Sequence, residues 1–221
     1  MIETEKTLLA SGLIALALAV VFVMSKIDPP LRSVILHVPF TSQAPNNNWD
    51  RNEDCEETSI TMANAYLNGQ TVDKLPAMAS QASIDLLKKW EQANLGYNAD
   101  TGADATTRMA QGAFGLQVKQ IKDFTEQDLK RELIQGHPIL LPINARLLGN
   151  PKYQEAGPFY HMIVLRGFDD HGIIVNDPGT DSGDGNVYSF ETLRQAAADW
   201  NQADRRMEPS RKILLVLSKG K

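Results

Sequence analysis

The chain carries one cysteine and four histidines among its 221 residues, so any sulfur chemistry rests on Cys55, in the stretch "DCEETSITMANAYLNG" that begins at Asp54. A thiolate is an effective nucleophile toward a carbonyl carbon. An unperturbed thiol ionises only near about pH 8.5, so a reactive cysteine needs a local positive potential such as a helix N-terminus or an imidazolium. Cys55, Ile60, Met62, Ala63, Tyr66 and Leu67 recur at mostly helical spacing and Asn68-Gly69 is a stop signal, which predicts a helix with the sulfur in its first turn. Two features oppose a working thiol. Glu56 and Glu57 follow it, and negative charge disfavours a second anion; a lone helical cysteine is also commonly a buried structural residue. Asp54-x-x-Glu57 has the form of a capping box, which predicts that these acids hold the helix end.

A base would come from His37, His137, His161 or His171. Three of these have ordinary readings: His37 on a first strand, His137 beside Pro138 in a turn, His171 at a hairpin tip. His161 differs because it opens the apolar run "HMIVLRGF" after "GPFY", so a sheet would fix its backbone while its ring faces a turn-rich segment. The returning strand ends at Asn176 and Asp177, either of which can hold an imidazole tautomer. Neighbouring strand residues face opposite ways, so only one of the two can do so.

The elements that must position these groups follow from local patterns. "SVILHVPF" reads as a first strand, and helices are predicted over about 80–94 and 104–114. A strand at Gln117 to Ile121 comes next, then a helix opened by Thr125 with Asp128 as a capping box and closed by Gly136. "PILLPIN", "FYHMIVLRGFDD" and "GIIVND" read as buried strands, the last two joined through Asp170-His171-Gly172; Glu191 to Trp200 reads as a helix and Lys212 to Leu217 as a last strand. Helices with the cysteine come first and strands with the acid and His161 second, a segregation that predicts an α+β fold.

Taken together, "VPFTSQAPNNNW", "DCEETSITMANAY", "HMIVLRGFDDHGIIVNDPGT" and "AAADWN" resemble, in order, the papain-like cysteine peptidases related to the bacteriocin-leader (double-glycine) peptidases in their stand-alone form. The resemblance implies a papain-like fold over residues 37–221, with Cys55 as nucleophile, His161 as general base, Asp177 as its orienting acid and Gln43 as an oxyanion donor. Gln43 lies on the loop entering the cysteine helix, where its amide and the Cys55 backbone N–H can converge on one oxygen. The chain departs from many relatives at "CEET", where they carry Cys-Gly-Pro. The expected activity is thiol-dependent hydrolysis of a peptide or protein substrate. A peptide-binding domain of the same fold with weak catalysis, a cell-wall amide hydrolase and an acyl transferase are the alternatives.

At the other end, residues 8–24 read "LLASGLIALALAVVFVM", long enough for a short membrane-crossing helix and too long for the usual apolar region of a cleaved signal. Residues 1–26 are therefore expected to be a membrane anchor and 27–36, with Pro29-Pro30, a stiff linker; an extracytoplasmic domain is expected with them. The net charge of −5 without a basic block argues against nucleic acid as a partner. One thiol excludes an internal disulfide and multi-cysteine metal sites. The acid-rich "DPGTDSGDGN" lacks EF-hand spacing and reads as a surface turn, so neither metal nor cofactor is expected.

Overall fold

The computed structural model describes residues 32–49 and 53–220. From Ser33 on, the described residues form one compact unit, and the predicted membrane span at residues 8–24 lies outside the described residues. Among the described residues, no helix is long and apolar enough to cross a membrane.

A seven-stranded antiparallel sheet carries the fold. Its strands are β1 (Val34–Ile35), β2 (Gln117–Lys122), β3 (Ile139–Ile143), β4 (His161–Asp169), β5 (Gly172–Asn176), β6 (Asn186–Tyr188) and β9 (Ile213–Ser218), in the order β2-β9-β3-β4-β5-β6 with β1 also on β4. Burial explains the order. β3 and the first half of β4 are continuous apolar runs buried on both faces and lie inside the sheet, whereas "QVKQIK" of β2 is only partly covered and forms an edge. β4 runs beside β3 over His161–Leu165 and then beside β1, where Val34 and Ile35 pair with Phe168 and Gly167. Gly167 permits that approach, because a Cβ there would lie 2.4 Å from the Val34 carbonyl oxygen. The pairing falls within the stretch read as linker, and the strand expected at 33–40 is confined to these two residues.

The helices are α1 (Cys55–Leu67), α2 (Ala77–Leu95), α3 (Ala103–Phe114), α4 (Glu126–Ile134) and α5 (Phe190–Ala196). α1 packs on β4 and is flanked by α2 and α3. Ile60, Met62 and Ala63 are fully buried there, each of the two larger side chains contributing about 1.5–3 kcal/mol relative to exposure. The α4 capping box forms as expected: Thr125 Oγ1 accepts from the Asp128 N–H and the Asp128 carboxylate accepts from the Thr125 N–H. The helix expected to run to Trp200 instead stops at Ala196, where Lys212 Nζ donates to the carbonyls of Arg194 and Ala197 at 2.7 and 3.0 Å. Asp199–Asn201 then forms β7, paired with β8 (Arg206–Glu208). The reason is Asp199: it is buried and its Oδ1 accepts from the Ala103 N–H at 2.8 Å, which satisfies the start of α3 and pulls the chain out of the helix.

Candidate active site

Cys55 is the first residue of α1 and is 2% exposed. The capping box predicted from Asp54 and Glu57 does not form. Asp54 makes no side-chain cap bond and instead pairs with Lys88 of α2. The helix is buried on all sides over Cys55–Ala63, so its polar side chains have tertiary partners. Ser59 Oγ donates to the Met162 carbonyl at 3.2 Å, Thr61 bonds Ser83 at 2.9 Å, and Thr58 donates back to the Asp54 carbonyl at 2.6 Å. The Ser59 bond places the first turns of α1 against the start of β4, beside His161.

His161 is 2% exposed, and its Nε2 lies 2.8 Å from Asp177 Oδ1. Asp177 follows β5 directly, and the alternative acid-side residue, Asn176, points elsewhere. Asn176 donates to the Val38 carbonyl at 3.0 Å and accepts from Arg166 Nε at 2.8 Å. Asp177 is fully buried and saturated with donors. Oδ1 also accepts from the Gly179 N–H at 2.9 Å, and Oδ2 accepts from Tyr153 at 2.6 Å and Asn150 at 3.3 Å. Burial alone would raise its pKa, but the His161 charge and these hydrogen bonds outweigh it and hold the carboxyl below its ordinary value. Gly179 covers the pair at close range, since a Cβ there would lie 2.9 Å from His161 Nε2.

Gln43 is 7% exposed, its backbone N–H donates to the Pro178 carbonyl at 2.9 Å, and its Oε1 is buried without a partner among the described residues. Gln43 and His161 share the wall of a cavity of about 560 Å³ with Trp49, Tyr153, Gly179 and Thr180, a size typical of sites for peptide segments or small molecules. The structure thus joins His161 and Asp177 by a direct bond, ties Gln43 to the Asp177 loop, and seats Cys55 on the helix packed against the His161 strand.

The sulfur itself donates to Glu56 Oε2 at 2.9 Å. Burial, followed by the charge of Glu56, pushes the thiol pKa up. Burial and the nearby Asp100 push Glu56 up to about 8. Asp100 is raised to about 6 by burial and Glu53, against the opposing charges of His161 and Arg205.

Glu57 and Glu91 of α2 are two buried carboxyl groups, and each leaves its Oε2 without a partner among the described residues. Burial first, then the charges of Glu56 and Glu91, raises Glu57, and burial raises Glu91. The folded chain therefore binds more protons than the unfolded one from the ordinary carboxylate range upward, and stability falls as pH rises through the raised values. Glu57→Gln is expected to flatten this decline and to melt higher than wild type at pH 9 but not at pH 5, with each 1 kcal/mol moving Tm by about 2–4 °C. Thermal melts at the two pH values check it; parallel pH dependences would refute a raised Glu57 carboxyl.

Tyr153, Asn150 and Glu56 were not found from sequence. The first two sit in the unpatterned "NPKYQEAGPFY", which carries no periodic or spacing signal, and Glu56 was read as part of a helix cap.

The profile described as the Peptidase_C39 like family matches residues 35–207. The chain belongs to that family, and it is a cysteine peptidase, in keeping with the resemblance to the papain-like peptidases. No curated protein matches it significantly. A Bacillus anthracis protein described as a C39-like peptidase shares the fold, with a TM-score of 0.53 at 21% identity over 86% of this chain and 99% of that one. Similar at lower scores are a double glycine motif protease from an AMS/PCAT transporter in complex with the leader peptide (TM-score 0.45, 18% identity, 88% and 99% covered) and the Carica candamarcensis cysteine protease CMS1MS2 in complex with E-64 (0.42, 13%, 88% and 100%).

Proposed function

We propose that the chain hydrolyses peptide bonds through an acyl-enzyme formed on Cys55, with His161 as general base and acid, Asp177 orienting the ring and Gln43 contributing to an oxyanion hole. The observation that carries this reading is the buried His161–Asp177 bond of 2.8 Å. It occupies Nε2 and leaves Nδ1 as the ring nitrogen available to a sulfur on the adjoining helix. The raised thiol favours a neutral Cys55 that is deprotonated during attack over a preformed ion pair. In the first step the S–H proton passes to Nδ1 while the sulfur bonds the carbonyl carbon and the carbonyl electrons move to oxygen. The Cys55 backbone N–H, unpaired within the helix at its first position, and the Gln43 amide are the donors for that oxygen. Collapse expels the amine with the proton from His161, and water repeats the sequence to release the acid.

The substrate is taken to be a peptide or exported protein. We further propose attachment to a membrane through residues 8–24, with the domain outside the cytoplasm, on the strength of that apolar run.

A peptidyl chloromethyl ketone tests the reading. It is expected to label the wild-type protein once, at Cys55, and to leave Cys55→Ala unlabelled, with turnover of a quenched fluorescent peptide library lost in the same variant by at least about a thousandfold. Turnover that persists in Cys55→Ala would exclude the sulfur as nucleophile.

A further inference from the structure

Glu56 is 1% exposed, and its two oxygens have different partners. Oε2 accepts the thiol of Cys55 at 2.9 Å. Oε1 accepts from the Thr101 backbone N–H at 2.5 Å and from the Thr101 hydroxyl at 3.3 Å. The Thr101 carbonyl accepts in turn from the Tyr160 hydroxyl at 2.7 Å, and Tyr160 is the residue before His161. A buried line of hydrogen bonds therefore leads from the sulfur, through Glu56 and Thr101, to the residue that adjoins the base. An acid that merely capped the helix would make none of these contacts, because it would face its own backbone N–H groups and solvent.

We propose that Glu56, once ionised, is a competing acceptor for the thiol, holding Cys55 as a neutral donor until substrate binding turns the S–H toward His161. This rests on the proposed roles of Cys55 and His161 and adds to them. The proton balance is simple. At rest the proton is on sulfur and, with Glu56 ionised, is directed to Oε2; during attack it passes to Nδ1 of His161 as the S–C bond forms and the carbonyl π pair moves to oxygen. Glu56 neither gains nor loses a proton in turnover.

The titratable groups around Glu56 are Cys55 and Glu57 on α1, Tyr97 and Asp100 on the segment leading into α3, and Tyr160 and His161 at the start of β4. Glu56 is raised to about 8, and the thiol is raised further by burial and by Glu56 itself. The proton lost on passing pH 8 is thus the carboxyl proton, and the carboxylate it leaves opposes thiolate formation. Burial and Glu53 raise Asp100 only to about 6, so its effect is separable on the pH axis.

The experiment is the rate of Cys55 alkylation by iodoacetamide from pH 5 to 10, read by intact mass, in wild type, Glu56→Gln, Asp100→Asn and His161→Ala. The wild-type profile is expected to flatten above about pH 8. Glu56→Gln should lack that bend, match wild type below pH 7 and react at least about threefold faster at pH 9. The threefold follows because lowering a thiol pKa by one unit gives tenfold more thiolate of roughly threefold lower nucleophilicity. Asp100→Asn should keep the bend. A Glu56→Gln profile that tracks wild type throughout overturns the proposal, while alkylation that is indifferent to His161→Ala overturns the roles proposed for Cys55 and His161 beneath it. Where Glu56→Gln fails to fold, Cys55→Ala gives the second measurement. The thiol bond lowers the Glu56 pKa, so the Glu56 carboxyl followed by ¹³C NMR should titrate higher without the sulfur, and an unchanged titration also overturns the proposal.

Discussion

His161→Ala is expected to lower kcat by about a thousandfold or more while the protein stays folded. The magnitude is that of losing a positioned general base and acid, about 10²–10⁴. The fold should survive because the buried Asp177 carboxylate, though it loses the imidazole, stays hydrogen-bonded. Asp177 keeps the Tyr153 hydroxyl, the Asn150 amide and the Gly179 N–H as donors, so the missing ring costs mainly a cavity, on the order of 1–3 kcal/mol. Steady-state kinetics on a fluorescent peptide, paired with a thermal melt, measure the two effects separately. KM should change little, since the ring contacts the scissile group and not the remainder of the substrate. Activity within tenfold of wild type would remove His161 from the mechanism.

Asp177 offers a sharper test, because two substitutions at one position should separate. Asp177→Ala is expected to lower kcat by about 10²–10³, since His161 Nε2 would lose its acceptor and the ring its fixed tautomer. Asp177→Asn should retain a large part of the activity. An amide oxygen at the Oδ1 position still accepts from Nε2–H and from Gly179, and a Cys-His-Asn arrangement works elsewhere in thiol peptidases. The new NH₂ would then occupy the Oδ2 position, where the Tyr153 hydroxyl can turn to accept but the Asn150 amide, a donor now, must flip. The stability consequence has a definite sign. A carboxyl held below its ordinary pKa stabilises the fold above about pH 3.9, and that contribution is lost as pH falls toward the lowered value. Urea unfolding at pH 7 and pH 3 should therefore show a smaller difference in Asp177→Ala than in wild type. Equal kinetics for the Ala and Asn variants would mean that Asp177 does not orient the base.

Much of the architecture was legible because the strands near the site are continuous apolar runs bounded by turn residues. β3, β4 and β5 could be placed to within a residue or two, and with them His161 and Asp177. The Thr125 capping box also transferred directly from sequence to structure. The acids around Cys55 were misread for a physical reason: Asp54, Glu56 and Glu57 are buried at the start of a helix covered on all sides, and a local pattern cannot distinguish a carboxylate that caps its own helix from one whose partner, Thr101 for Glu56 or Lys88 for Asp54, is more than thirty positions away. Trp200 failed similarly, because the end of α5 is fixed by Asp199 reaching to Ala103 across the molecule. The support given to Asp177 by Tyr153 and Asn150 is likewise a long-range contact and leaves no imprint on a loop sequence.

The proposed base and its proposed orienting acid come from parts of the fold with unequal permanence. His161 opens a strand hydrogen-bonded to neighbours on both sides and covered by α1, whereas Asp177 begins a loop anchored by its own N–H to the Gly183 carbonyl at 2.9 Å and by Lys152 to Ser182 and Asn186. Brief excursions of that loop need not disturb the sheet, since segments with few buried contacts open at lower free energy than central strands. Warming or mild denaturant would accordingly silence the enzyme in two stages: first a reversible loss of turnover with the spectroscopic signature of the native protein intact, then cooperative melting.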